Sequence, residues 1–154
     1  MERIVKKTYL LLAVALSSCF SNAQPYKTSS KPSSSSNTLI ELSYDDVKDK
    51  TIFWSNIFSI DSDDYYVYFF SKTCSHCQNL KQFIIEKALA RGDIYFVESS
   101  DEDVFVKDVS ITIGLTSIEG FGILGYPSLV EIVEKTITKN IAGIPLIRSE
   151  LSIE

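Results

Sequence analysis

The chain has 154 residues, 45% of them apolar, which is enough for one good core and too little for a second sizeable domain. Its formal charge of −5, with no Lys or Arg cluster beyond the first few positions, excludes a nucleic-acid binder, which needs a basic face to neutralise phosphates. Acidic groupings such as Asp63-Asp64 and Asp101-Glu102-Asp103 read as solvated surface, because no loop of alternating oxygen ligands with a glycine turn accompanies them.

At the N-terminus, Arg3, Lys6 and Lys7 precede a short apolar run, Tyr9 to Leu16, and then small polar residues. This is the pattern of a secretory signal peptide over residues 1–23, too short to cross a bilayer as an ordinary transmembrane helix. Two processing sites compete. Ser21-Asn22-Ala23 has the small-x-small form accepted by general signal peptidase, whereas Leu16-Ser17-Ser18-Cys19 resembles the bacterial lipobox, in which Cys19 is lipidated and becomes the first residue. The lipobox is favoured, since it matches the leucine, two small residues and the cysteine in order. Either route places the remainder outside the cytoplasm of a bacterium, as a membrane-anchored lipoprotein or as a secreted or periplasmic protein. Removing residues 1–23 also makes the rest more acidic, so membrane attachment has to come from the lipid or from a retained N-terminal segment.

Residues 24–38, "QPYKTSSKPSSSSNT", carry six serines and two prolines and almost nothing to bury, the composition of a disordered tether. For about 15 residues of flexible coil the reach is roughly 20 Å. The folded domain is expected over residues 39–154. "TLIEL", Thr38 to Leu42, predicts an edge strand, and Ser43 to Lys50 a polar start with a short helical or turn segment. "YYVYFF", Tyr65 to Phe70, is apolar or aromatic throughout and predicts a central strand covered on both faces. No Gly or Pro interrupts Cys77 to Arg91, where Leu80, Phe83, Ile84 and Ala88 mark one buried helical face, with Gly92 as the stop. Ile94 to Val97 is a second strand. Residues 99–120 read only as helix or loops on the surface. Ser128 to Val133 and Ile137 to Ala142 are two strands joined by "EKT", a hairpin. A strand, a helix and a parallel strand followed by a hairpin make an α/β fold with a central mixed sheet flanked by helices.

Beyond Cys19 the chain has two cysteines, Cys74 and Cys77, with its only histidine, His76, between them. Cys74 follows the buried strand and opens the helix, where unpartnered N–H groups and the positive end of the dipole favour an ionised sulfur. Cys77 lies about one turn on, and neighbours at that spacing are roughly 5–6 Å apart, within the roughly 4.4–6.8 Å a disulfide requires. So small a loop gains little as a staple, because the entropy removed grows with loop length. A zinc site needs about four ligands, and two cysteines with a histidine on another side of the turn do not supply them. Redox chemistry is the favoured reading. His76 either stabilises the Cys74 sulfur, which makes the disulfide more oxidising, or is an exposed bystander.

"YYVYFFSKTCSHC" and "FGILGYPS", Phe121 to Ser128, together resemble the thioredoxin family over nearly all of residues 39–151. The first is similar to that family's central strand and Cys-x-x-Cys helix, the second to its segment ending in a cis-proline, and "IAG" at Ile141 to Gly143 to the end of its last strand. The resemblance implies a thioredoxin-like fold, catalytic Cys74, Cys77 and His76, and a substrate-binding edge of Thr73, Tyr126, a cis Pro127 and Ser128. Having no N–H, Pro127 leaves that edge open for an extended peptide to pair with the Tyr126 backbone. Three positions depart from the cytoplasmic thioredoxins. Thr73 replaces the tryptophan before the first cysteine, Ser75-His76 replaces Gly-Pro and is nearer to exported disulfide oxidoreductases, and Tyr68 replaces the buried strand acid.

The implied function is extracytoplasmic thiol–disulfide exchange with cysteine-bearing exported proteins, the oxidising direction slightly favoured, with a further electron donor or acceptor as partner. No cofactor or metal is called for, since the redox group is the Cys74-Cys77 disulfide itself. The alternative is a thioredoxin-fold binding or accessory protein of an envelope or secretion system, whose cysteines regulate docking. A monomer is expected, because no long apolar stripe is left over.

Overall fold

A computed structural model describes residues 41–153. The expected signal peptide with Cys19, the expected linker 24–38 and the first three residues of "TLIEL" lie outside the described residues.

Ser43 opens a 3-10 helix, Tyr44–Lys50, through a capping box in which its side chain accepts from Asp45 N–H and the Asp46 carboxylate accepts from the Ser43 N–H. Its apolar residues Tyr44 and Val47 point inward. The expected edge strand does not extend into the described residues: Glu41 and Leu42 have no strand pairing, and Leu42 N–H instead donates to the Gln82 side chain at 2.9 Å. The chain reaches a sheet edge ten residues later, where Ile52 N–H donates to Phe96 O at 2.8 Å.

Four strands form one sheet: β1 (Asp64–Phe70), β2 (Ile94–Glu98), β3 (Ser128–Val133) and β4 (Thr136–Ala142), in the order β2-β1-β3-β4. Helix α1 (Ser75–Arg91) carries the chain from β1 to β2, which pair in parallel, while β3 pairs antiparallel with β1 and β4 antiparallel with β3. Gly92 caps α1 in the left-handed conformation, φ 84°, as its lack of a Cβ allows. Glu134 and Lys135 both take positive φ in the two-residue hairpin turn, matching the twist of the strands they join. Helix α2 (Ile144–Ser152) has Pro145 in its first turn and ends the domain. A strand, a crossover helix, a parallel strand, a hairpin and a final helix over one mixed sheet meet the expectation from sequence. The fold is thioredoxin-like.

Because strand side chains alternate, β1 serves two cores. Tyr68 and Phe70 face α1 and α2, against Tyr44, Leu80, Ile84, Phe96, Ile147 and Leu151. Tyr65, Val67 and Phe69 face the other way, against Trp54, Ile57, Phe121, Ile123 and Val130. Both α-helices therefore cover one face, and short 3-10 turns and coil cover the other.

Residues 99–120 hold one short 3-10 helix, Val109–Thr112, and otherwise coil. This segment is pinned rather than simply laid on the surface. Gly114 N–H donates to Ile137 O at 2.8 Å, Ile137 N–H donates to Leu115 O at 2.9 Å, and the buried Asn140 side chain donates to Thr112 Oγ1 and Gly122 O at 3.0 and 2.9 Å. These bonds cover the outer edge of β4, which would otherwise invite pairing with another chain.

Candidate active site

The end of β1 delivers the chain to a tight turn, Ser71 to Thr73, that sets the start of α1. Cys74 N–H donates to Ser71 O and Gln78 N–H to Cys74 O, each at 3.1 Å, so Cys74 is the residue capping the helix, with extended φ and ψ of −80° and 119°. The Gln78 side chain closes the turn by donating to Lys72 O at 2.8 Å. The Cys74 sulfur is half-buried at the rim, and Cys77, one turn in, is fully buried against Tyr68, Leu80 and Phe70. Both are free thiols, and the two are within hydrogen-bonding reach of each other.

The "FGILGYPS" segment comes to the same place. The Tyr126–Pro127 peptide bond is cis, and the Cys74 thiol donates to Tyr126 O at 3.6 Å. Pro127 is buried and its carbonyl accepts from Gly143 N–H at 2.9 Å, which ties the loop to the "IAG" turn. Ser128 is also buried, with its hydroxyl donating to Gly125 O at 2.6 Å. Among the described residues the Tyr126 N–H has no hydrogen-bond partner. Of the residues singled out from sequence, Cys74, Cys77, Tyr126 and Pro127 are thus brought together. Thr73 is exposed next to Cys74, its hydroxyl against that of Ser71 at 3.1 Å. His76 is exposed in the first turn of α1 and makes no hydrogen bond among the described residues. Cys19 lies outside the described residues.

Two neighbours were not foreseen. Tyr44 donates through its hydroxyl to Cys77 O at 3.2 Å, which fixes the backbone under the second cysteine. The signal for it was the capping box, which makes Tyr44 the first residue of a helix packed on α1. Phe105 stands half-exposed with its ring edge-on to Tyr126, centroids 5.6 Å apart, and supplies an apolar rim to the site. No periodic pattern in residues 99–120 marks it. The segment reaches this position because Val106 N–H donates to Ile123 O and Ile123 N–H donates to Val104 O, at 2.9 and 3.0 Å.

Burial pushes the Cys77 thiol above its ordinary pKa, the neighbouring Cys74 adds to this, and the Ser71 backbone and the Tyr68 hydroxyl act against it. Burial likewise raises Tyr44 to about 12 and raises Tyr68, whose hydroxyl has Tyr44 and Cys77 as near neighbours. The pair is therefore asymmetric: an accessible sulfur at the rim, and a buried one that is neutral at pH 7. A cavity of about 650 Å³ between Ile52, Phe53, Trp54 and Ser99 to Glu102 has neither cysteine in its lining. We place the chemistry at the rim and not in that cavity, because thiol exchange with a protein needs an accessible sulfur beside open backbone, not an enclosed volume.

No protein-family model matches the chain, and no curated protein matches it. Among solved structures, it is similar to thioredoxin f2 of Chlamydomonas reinhardtii, at 13% identity over 67% of this chain and 91% of that one, with a TM-score of 0.43. Mitochondrial thioredoxin 3 of Saccharomyces cerevisiae is 14% identical over 66% and 90%, with a TM-score of 0.44. Plasmodium falciparum thioredoxin is 16% identical over 67% and 96%, with a TM-score of 0.43. The fold assignment rests on strand order and direction, not on these likenesses.

Proposed function

We propose that the domain is an extracytoplasmic thiol–disulfide oxidoreductase that exchanges disulfides with cysteine-bearing exported proteins through Cys74 and Cys77. The observation that carries this reading is the Cys74 thiol at the mouth of α1, half-exposed, with Cys77 buried one turn behind it and the unpaired N–H of Tyr126 alongside. An extended peptide pairing with Tyr126 would bring its own sulfur to Cys74. In the reducing direction Cys74 attacks a substrate disulfide, and Cys77 resolves the mixed disulfide. In the oxidising direction a substrate thiolate attacks Cys74 of the Cys74-Cys77 disulfide and Cys77 leaves. The oxidising direction is preferred on the Ser75-His76 pair between the cysteines, which resembles that of exported oxidoreductases. The export signal and the lipobox at Cys19 support a site of action outside the cytoplasm, held near a membrane by lipid and spaced from it by residues 24–38.

The test is trapping with a defined substrate. The Cys77→Ser protein should form a stable, reductant-sensitive adduct with insulin through Cys74, and Cys74→Ser should form none and should lose insulin reduction. Equal adduct formation by the two variants would refute the assignment of roles. No adduct with Cys77→Ser, together with no insulin reduction by the parent protein, would favour a binding or accessory protein over an oxidoreductase.

A further inference from the structure

Resting on the thiol–disulfide reading above, we propose that the Tyr68 hydroxyl is a positioning residue for Cys77, donating a hydrogen bond to its sulfur as that sulfur becomes a thiolate. Tyr68 is fully buried in β1 beneath α1, and its hydroxyl has no well-aligned hydrogen-bond partner. A buried hydroxyl in that state is unfavourable and calls for an explanation. The ring is held in place: it stacks on Phe70 with centroids 6.0 Å apart and meets Phe96 edge-on at 5.7 Å. Its near polar neighbours are the Tyr44 hydroxyl and the Cys77 thiol. Tyr44 spends its hydrogen on Cys77 O, which leaves its oxygen and the Cys77 sulfur as the two acceptors near Tyr68, and a sulfur that has become a thiolate is the stronger of the two.

The groups acting on the Cys77 sulfur are the Cys74 thiol, the Ser71 backbone and Tyr68, with Tyr44 donating to the carbonyl of the same residue. No carboxylate or ammonium is among the buried residues of the domain as described. Without a charged group to help, a developing thiolate at Cys77 has this one hydroxyl as side-chain donor. Burial keeps Tyr68 protonated, so it can donate throughout the working pH range and cannot serve as a base.

The step it assists balances as follows. The Cys77 proton passes to water, and the Cys77 thiolate attacks Cys74 Sγ of the mixed disulfide. The Cys74–Cys77 bond forms, the bond from Cys74 to the substrate breaks, and the departing substrate sulfur takes the electron pair and then a proton. Over the whole cycle two protein thiols become one disulfide, and one substrate disulfide becomes two thiols. In the oxidising direction the same hydrogen bond stabilises Cys77 as the leaving thiolate.

The experiment uses the reduced protein and a small aromatic disulfide that releases a coloured thiolate. A first equivalent appears on attack by Cys74 and a second on resolution by Cys77. Tyr68→Phe should leave the first phase unchanged and slow the second by about ten- to a hundredfold, the range for losing a hydrogen bond to a charged group. Tyr44→Phe, which removes only the bond to the Cys77 carbonyl, should slow the second phase less than Tyr68→Phe does, and the urea midpoint of Tyr68→Phe should equal or exceed that of the parent. The inference is overturned by an unchanged second phase in Tyr68→Phe, by equal slowing in Tyr44→Phe, or by loss of folding in Tyr68→Phe, which would make the hydroxyl structural. Absence of the first phase in the parent protein would instead refute the oxidoreductase reading.

Discussion

The Cys74 thiol donates to the carbonyl of Tyr126 at 3.6 Å, across 52 residues of sequence. Two segments that share no local pattern, a helix mouth and the loop before β3, therefore meet at one sulfur. The contact fixes which cysteine faces outward and which backbone lies beside it.

The first prediction follows from that asymmetry. With Cys77 fully buried and its thiol raised by burial, its thiolate fraction is small at pH 7 and grows as the pH rises. Brief treatment of the native reduced domain with iodoacetamide at pH 7.5 should label Cys74 alone, read by peptide mass spectrometry, and Cys77 only after denaturation. Equal labelling of both in the native state would contradict the burial of Cys77.

A second prediction concerns the only tryptophan. Trp54 packs edge-on to Phe69, with centroids 5.2 Å apart, and against Phe121, on the sheet face opposite α1. Oxidising the Cys74–Cys77 pair should leave its emission maximum and intensity nearly unchanged, while unfolding should shift both. A redox-dependent change as large as the unfolding change would place the indole near the cysteines instead.

The third tests what anchors the rim. A Cβ at Gly122 would meet Val106 Cγ1 at 2.6 Å and Val104 O at 3.0 Å, and the second of these is backbone that cannot swing away. Gly122→Ala should destabilise the domain by about 1–3 kcal/mol, the usual range for overpacking, seen as a lower urea midpoint at unchanged m. An unchanged midpoint would mean that the 104–106 segment is not held against 122–123.

The fourth is a pH dependence. Burial alone would raise the Glu131 carboxyl, but hydrogen bonds from Thr138 and Tyr66 and the Lys139 ammonium outweigh it and hold it below the ordinary carboxylate value. A depressed folded-state value contributes stability above the unfolded value, near about 4.3, and loses it as the pH falls through the folded one. Glu131→Gln should therefore cost about 1 kcal/mol at pH 7 and markedly less at pH 3, measured by urea unfolding at each pH. A cost that does not shrink in acid would contradict this account of the network.

The sequence was most informative where short-range chemistry settles structure. "YYVYFF" can be buried only between two layers, and β1 is an inner strand with Tyr68 and Phe70 on one side and Tyr65, Val67 and Phe69 on the other. Gly92 ended α1 as its position implied. The buried face of the helix shifted slightly: Cys77 and Ile85 are fully buried, whereas Phe83 is half-exposed under the guanidinium of Arg148 at 4.6 Å. Helical spacing alone could not show this, because α2 decides which side of α1 is covered.

Where structure depends on distant partners, the sequence was silent. Residues 99–120 have no period to read because their order comes from bonds to Ile137, Asn140 and Ile123. "TLIEL" has strand-like composition, yet Glu41 and Leu42 stay unpaired while Thr51 and Ile52 approach β2 instead. At the site, the two cysteines and the Gly-x-Pro segment were legible. Tyr68 could be recognised only as a replacement for an acid, and its relation to Cys77 and Tyr44 required the packed core.

The central claim is that Cys74 and Cys77 form a reversible two-electron couple. Its most direct test is equilibration of the protein in glutathione buffers of defined potential, followed by acid quenching, alkylation and mass spectrometry. The account predicts one two-electron transition between free dithiol and a Cys74–Cys77 disulfide, with a midpoint between about −120 mV for a strong oxidant and about −270 mV for a reductase, nearer the first. Glutathione retained on Cys74 with Cys77 still free across that range would contradict it.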